Sequence, residues 1–159
     1  MADQVNLTLA KETFNTLCQA FDNNKLHYEK DEEKMIIECR AQGDDLPIEL
    51  TVSVDAERML VLLISRLPFV IQEDKRLDVA IAVSAINNLL ADGCFDYNVA
   101  TGNMFFRMTN SFLESKMGEA VFSYLLFGSF KIIDAYNDKL LMLAKGVVSV
   151  EQFLASLEN

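Results

Sequence analysis

Met35-Ile36-Ile37-Glu38-Cys39-Arg40, Ile48-Glu49-Leu50-Thr51-Val52-Ser53-Val54 and Met59-Leu60-Val61-Leu62-Leu63-Ile64 carry the reading of this chain. In the first segment Met35, Ile37 and Cys39 point one way and Lys34, Glu38 and Arg40 the other. In the second, Ile48, Leu50, Val52 and Val54 alternate with Glu49, Thr51 and Ser53. A two-residue period is that of a strand with one wet face. The third segment is apolar at every position, which predicts a strand covered on both faces. Gln42-Gly43-Asp44-Asp45 and Asp55-Ala56-Glu57 are tight connections, so the three strands form an antiparallel meander. Leu67-Pro68 closes it, because proline cannot continue a hydrogen-bonded ladder.

The period is helical on either side. Leu7, Ala10, Phe14, Leu17, Cys18 and Phe21 recur at three- and four-residue steps and define one apolar stripe of a first helix. A second helix is predicted from about Glu73 to Ala91, with Glu73 and Asp74 at its positive end. It is apolar almost all round (Val79, Val83, Ile86 and Leu90, widened by Leu77, Ala80, Ile81 and Ala85), which predicts a central rather than a superficial position. Gly93 breaks it. Phe95, Tyr97 and Val99, then Met104, Phe106 and Met108, alternate around Ala100-Thr101-Gly102-Asn103 and form a hairpin. A long helix follows from Lys116 to about Ala144, with a break expected near Asn137-Asp138. Ser149 and Gln152 have the spacing of a capping box and start a last short helix. The fold class is therefore α+β in the order α-β-β-β-α-β-β-α, an antiparallel sheet packed by helices, plus a short C-terminal helix. Residues 1–159 read as a single domain, without an internal repeat.

Composition bounds the function. Of 159 residues, 51% are hydrophobic and 24% charged, which suits a folded domain rather than a disordered one. The formal charge is −10, and through Lys75 the chain holds 15 acidic and 8 basic residues. Nucleic acid is excluded as a partner, since phosphate contacts require clustered Lys and Arg. The most apolar run, Leu77 to Ala91, is shorter than the ~20 residues of a membrane span. No secretory signal is expected at the N-terminus, and three cysteines (Cys18, Cys39 and Cys94) are expected as free thiols in the cytoplasm.

Chemistry-bearing motifs are absent. His27 is the only histidine, with no nucleophile or carboxylate arranged beside it in sequence. Zinc wants paired ligands at short spacing, and neither Cys-x-x-Cys nor a second histidine occurs. Cys18 and Cys39 lie on apolar faces and read as small core residues. Cys94 has no basic sequence neighbour to activate it. Asp22, Asn24 and Glu33 match three positions of a calcium loop, but His27 stands where the loop needs glycine and Leu26 where it needs an oxygen ligand. Phosphate-cradling glycine motifs and a nucleophile elbow are likewise missing. The expectation is no enzyme activity, no cofactor and no metal.

One feature points toward binding. The last third is rich in Met and Phe, residues suited to versatile contact surfaces. Phe105 falls on the polar face of its strand, and Phe127 and Phe130 lie off the Val121-Leu125-Ile132 stripe. These three are the candidate partner-binding or dimer surface. Gly128, inside the long helix, reads as a site of close packing against another backbone, with a dent for a partner side chain as the competing reading.

The block from Met35 to Arg107, with Leu67-Pro68, Ala85-Ile86-Asn87-Asn88-Leu89, Gly93-Cys94-Phe95-Asp96-Tyr97 and Met104-Phe105-Phe106-Arg107 in that order, resembles the YbjN-like family of bacterial proteins, with a type III secretion chaperone-like fold. Members of the family are described as sensory transduction regulators without an assigned reaction. The resemblance implies a non-enzymatic protein-interaction module, a chaperone-like binder or regulatory adaptor whose partner is another protein or a second copy of itself. The alternative is a small-molecule sensor with a Met- and Phe-lined pocket between sheet and helices.

Overall fold

The alternating segments become the centre of a six-stranded sheet in the computed structural model, which describes residues 2–158. The elements are α1 (Ala2–Asn23), β1 (Tyr28–Asp31), β2 (Ile36–Gln42), β3 (Pro47–Asp55), β4 (Leu60–Arg66), α2 (Arg76–Leu89, entered through a 3-10 turn at Glu73–Lys75), β5 (Cys94–Asn98), β6 (Asn103–Ser111), α3 (Glu119–Ala144) and α4 (Val150–Leu157). Every strand pairing is antiparallel, in the order β1-β2-β3-β4-β6-β5. β1 adds a short edge strand to the expected meander. α3 runs unbroken through Asn137, whose side-chain oxygen accepts a bond from the Asp138 amide.

One face of the sheet is sealed. Ile37 and Cys39 of β2, Ile48, Leu50, Val52 and Val54 of β3, Val61 and Leu63 of β4, and Met104, Phe106 and Met108 of β6 are all buried. The α1 stripe of Ala10, Phe14, Leu17, Cys18 and Phe21 and the buried side of α3 complete one continuous core with them. Asn23 and Asn24 at the end of α1 bond to Glu119 and Ser123 of α3, which fixes the two helices side by side. Ser149 and Gln152 form the expected capping box on α4.

Among the described residues no helix covers the other face. Leu60, Leu62 and Ile64 point to it and are only half-buried. The continuous apolar run of β4 therefore does not mean cover on both sides within this chain. α2 also differs from its expected central place: it packs Val79, Ala82, Val83 and Ile86 inward and leaves Leu77 (74% exposed) and Ile81 (49%) in solvent.

Two hairpins at the same end of the sheet share one turn. Asp31-Glu32-Glu33-Lys34-Met35 and Asp55-Ala56-Glu57-Arg58-Met59 repeat the pattern Asp-x-Glu-basic-Met. In each, the aspartate accepts the amide of the basic residue and pairs with its side chain. Each methionine takes a positive φ (53° and 55°) and buries its side chain. The strain of a left-handed non-glycine residue is offset here by apolar burial.

The β5 edge is closed by a side chain. Asn87 of α2 donates its amide N–H to the Phe95 carbonyl (3.0 Å) and accepts the Phe95 N–H (2.8 Å), so one carboxamide stands in for the peptide of a seventh strand. Asn87→Ala leaves both groups without partners beside the buried Phe95 ring. It is expected to cost about 2 kcal/mol, which lowers Tm by about 4–8 °C in a domain of this size, and to speed hydrogen exchange at the Phe95 amide.

Candidate functional site

Polar chemistry gathers at two places, both on the outward side of the sheet. At the β5–β6 end, Arg107 donates to both carboxylate oxygens of Asp96 (2.5 and 3.1 Å) and to the Cys94 sulfur (3.4 Å). Cys94 and Arg107 are cross-strand partners thirteen residues apart in sequence, so Cys94 does have a cationic neighbour, against the expectation from its flanking residues. The cation does not activate the thiol. Burial and the Asp96 carboxylate push the Cys94 pKa up, and Arg107 only partly opposes them. Asp96 is held below the usual aspartate range, first by its hydrogen bonds to Arg107.

At the other end, His27, Tyr28, Glu29, Glu38 and Arg40 line a surface hollow of about 340 Å³. Two carboxylates thus share a concavity with the only histidine. His27 is exposed and lies in the α1–β1 connection, with no hydrogen bond to orient its ring; a general base needs such an orienting partner. Cys18 and Cys39 are buried in the core, and burial raises both thiols. Among the described residues no three His, Cys, Asp or Glu side chains converge as a metal site, and no helix is long and apolar enough to cross a membrane.

The three phenylalanines separate. Phe106 is buried beneath the sheet, so its neighbour Phe105 stands on the outward face, half-buried, with Arg66 6.0 Å above its ring. Phe127 is on the far side of the molecule, 46% exposed on α3. Phe130 packs against the core and is half-buried. Phe127 continues a stripe along α3 with Val121 (39% exposed) and Tyr124 (58%), the i, i+3, i+6 spacing of one helix face. The Tyr124 hydroxyl donates to Asp92, just beyond α2, which ties this stripe to the end of the neighbouring helix near the exposed Leu89.

Gly128 adjoins the stripe. A Cβ built there meets only the Met108 methyl, at 3.9 Å, so no backbone approaches it and the close-packing account fails. A built Cβ at Gly102 instead collides with the Ile71 carbonyl oxygen, and Gly102 itself has φ +76°. The Met- and Phe-lined space beneath the sheet is filled: Met104, Phe106, Phe95 and Phe122 are each at most 2% exposed.

With this geometry the comparisons are informative about fold. YbjN from E. coli, described as a candidate transcription regulator, matches over 83% of this chain and 92% of its own, with a TM-score of 0.59 and 14% identity. The HopA1–SchA chaperone–effector complex contains a chain matched over 80% of this chain and 95% of that one, with a TM-score of 0.53 and 17% identity. The fold is YbjN-like and secretion-chaperone-like. No protein-family model matches the chain, and no curated protein matches it in sequence.

Two measurements test these assignments. Gly128→Ala is expected to stabilise α3 by about 1 kcal/mol and raise Tm by about 2–4 °C, whereas Gly102→Ala lowers Tm. Because the folded-state pKa of Asp96 is depressed, its pairing contributes stability above the ordinary aspartate pKa of about 4 and loses it as pH falls through the lower folded value. Both partners are well exposed, so the effect is at most about 1 kcal/mol. Thermal melts should show Asp96→Asn below the parent protein at pH 7 and level with it in stronger acid.

Proposed function

We propose that this protein is a non-enzymatic interaction module that receives an apolar segment of a partner protein on the exposed face of α3. The observation that carries the reading is the Val121–Tyr124–Phe127 stripe beside Gly128, an indentation that no internal packing requires. A helix face with three large side chains in water and a gap beside them suits insertion of aliphatic or aromatic anchors. The shared fold supports the reading, since one relative of this shape is the chaperone of a chaperone–effector complex, although fold alone does not assign function. The net charge of −10 favours a partner segment flanked by lysine or arginine, captured faster at low salt.

Neither polar cluster competes strongly. Burial and Asp96 push the Cys94 thiol up, and His27 has no hydrogen bond to orient its ring. A protein partner recovered from a lysate of the source organism, then titrated as overlapping peptides, tests the proposal. A basic-apolar peptide is expected to bind the parent protein and to lose about tenfold or more in affinity with Phe127→Asp and with Gly128→Ala, the latter despite its higher Tm. Equal binding by all three proteins would overturn the α3 assignment.

A further inference from the structure

The exposed face of α3 does not end at Phe127, and its second half has a different chemistry. Beyond the Val121–Tyr124–Phe127 stripe the same side of the helix continues through Lys131, Ala135, Lys139, Met142 and Lys145. At about 100° per residue these positions and the stripe share roughly one third of the circumference. All five are exposed, Met142 by 41%. One acid, Asp138, falls on this side, and it is half-buried.

The lysines are not accounted for by the helix itself. A cation in the last turn answers the helix dipole, but Lys131 and Lys139 lie before that turn. In a chain with 24 acidic residues, none of the three lysines forms an ion pair among the described residues. The Lys139 ammonium sits 5.7 Å from the centre of the Tyr136 ring, which holds it at the surface. The opposite end of the face has the opposite sign. Glu119 is exposed two residues before Val121, and Asp92 accepts the Tyr124 hydroxyl. Along its length the face therefore reads acid, apolar, base.

We propose that α3 reads the charge order of its partner: the segment it receives is an amphipathic helix whose apolar stripe leads into an acidic end, seated over Lys131, Lys139 and Lys145. This rests on the α3 docking reading and adds to it. The basic flank expected of the partner belongs over Glu119 and Asp92, and the lysine file excludes it from the other end, where like charges would repel. Met142 and Ala135 keep the surface between the lysines apolar, so a continuous helix can lie along it. From Val121 to Lys145 the face is about 36 Å long, which a partner helix of about 24 residues spans. An anionic membrane fits less well, since the net charge of −10 and the acids at the Val121 end oppose it.

Three synthetic helical peptides of that length test the proposal, all with one leucine and phenylalanine stripe. The first carries lysine in one half and glutamate in the other, the second only lysine, the third only glutamate. By fluorescence anisotropy the mixed peptide is expected to bind the full-length protein tightest. Lys131→Glu/Lys139→Glu should weaken the mixed peptide about tenfold or more and tighten the all-lysine peptide, a reciprocal change that damage to the fold would not produce. Phe127→Asp should weaken both. An all-lysine peptide that binds the parent protein as well as the mixed one, or a mixed peptide indifferent to the lysine swap, would overturn the inference and leave the α3 reading standing. A mixed peptide indifferent to Phe127→Asp would overturn both. Capture by phosphatidylserine vesicles that the lysine swap abolishes, without binding of the mixed peptide, would overturn it in favour of a membrane surface.

Discussion

β3 is the constraint on which the remainder of this structure depends. Ile48, Leu50, Val52 and Val54 are at most 3% exposed, and the strand is paired with β2 from Pro47 to Ser53 and with β4 from Thr51 to Asp55. Because successive side chains leave a strand on opposite faces, burying these four forces Glu49, Thr51 and Ser53 outward. A slip of one residue would exchange the two sets and place a glutamate in the core. Register in β2 and β4 follows from β3, β6 follows from β4, and the helices have only one face on which to lie. The same alternation that builds the core thus decides which residues face solvent, and with them the charge rows of the outward surface.

Much of this was legible from local pattern. The alternating strands, the second hairpin with Gly102, the long third helix and the capping box at Ser149 all announce themselves within a few residues. What escaped local reading was relational. β1 is polar at all but Tyr28, so it has no period to detect, and it becomes a strand only by pairing with β2. α2 has an apolar circumference but lies at the surface, since periodicity cannot say whether a neighbour exists. Arg107 reaches Cys94 through cross-strand register, which flanking sequence does not reveal. The Asp-x-Glu-basic-Met repeat is present in the letters, yet it acquires meaning only when both turns are seen to do the same work.

The candidate surfaces followed the same division. Phe105, Phe127 and Phe130 each break the pattern of their own element, and all three stand partly in solvent. Their separation onto opposite sides of the molecule is a property of layer order, which no single element encodes. The result is a chain with two distinct apolar faces, one of helix and one of sheet.

Asn87 has a further consequence. The β5 edge is shut by one carboxamide acting as both donor and acceptor, and that chemistry is perishable. Hydrolysis of the amide to a carboxylate would leave an acceptor-only group, unable to bond the Phe95 carbonyl and placed against its lone pairs. The lesion would add a negative charge and free a strand edge in the same event. Slow chemical ageing at this one side chain would thus loosen the β5 edge while leaving the other strand pairings in place.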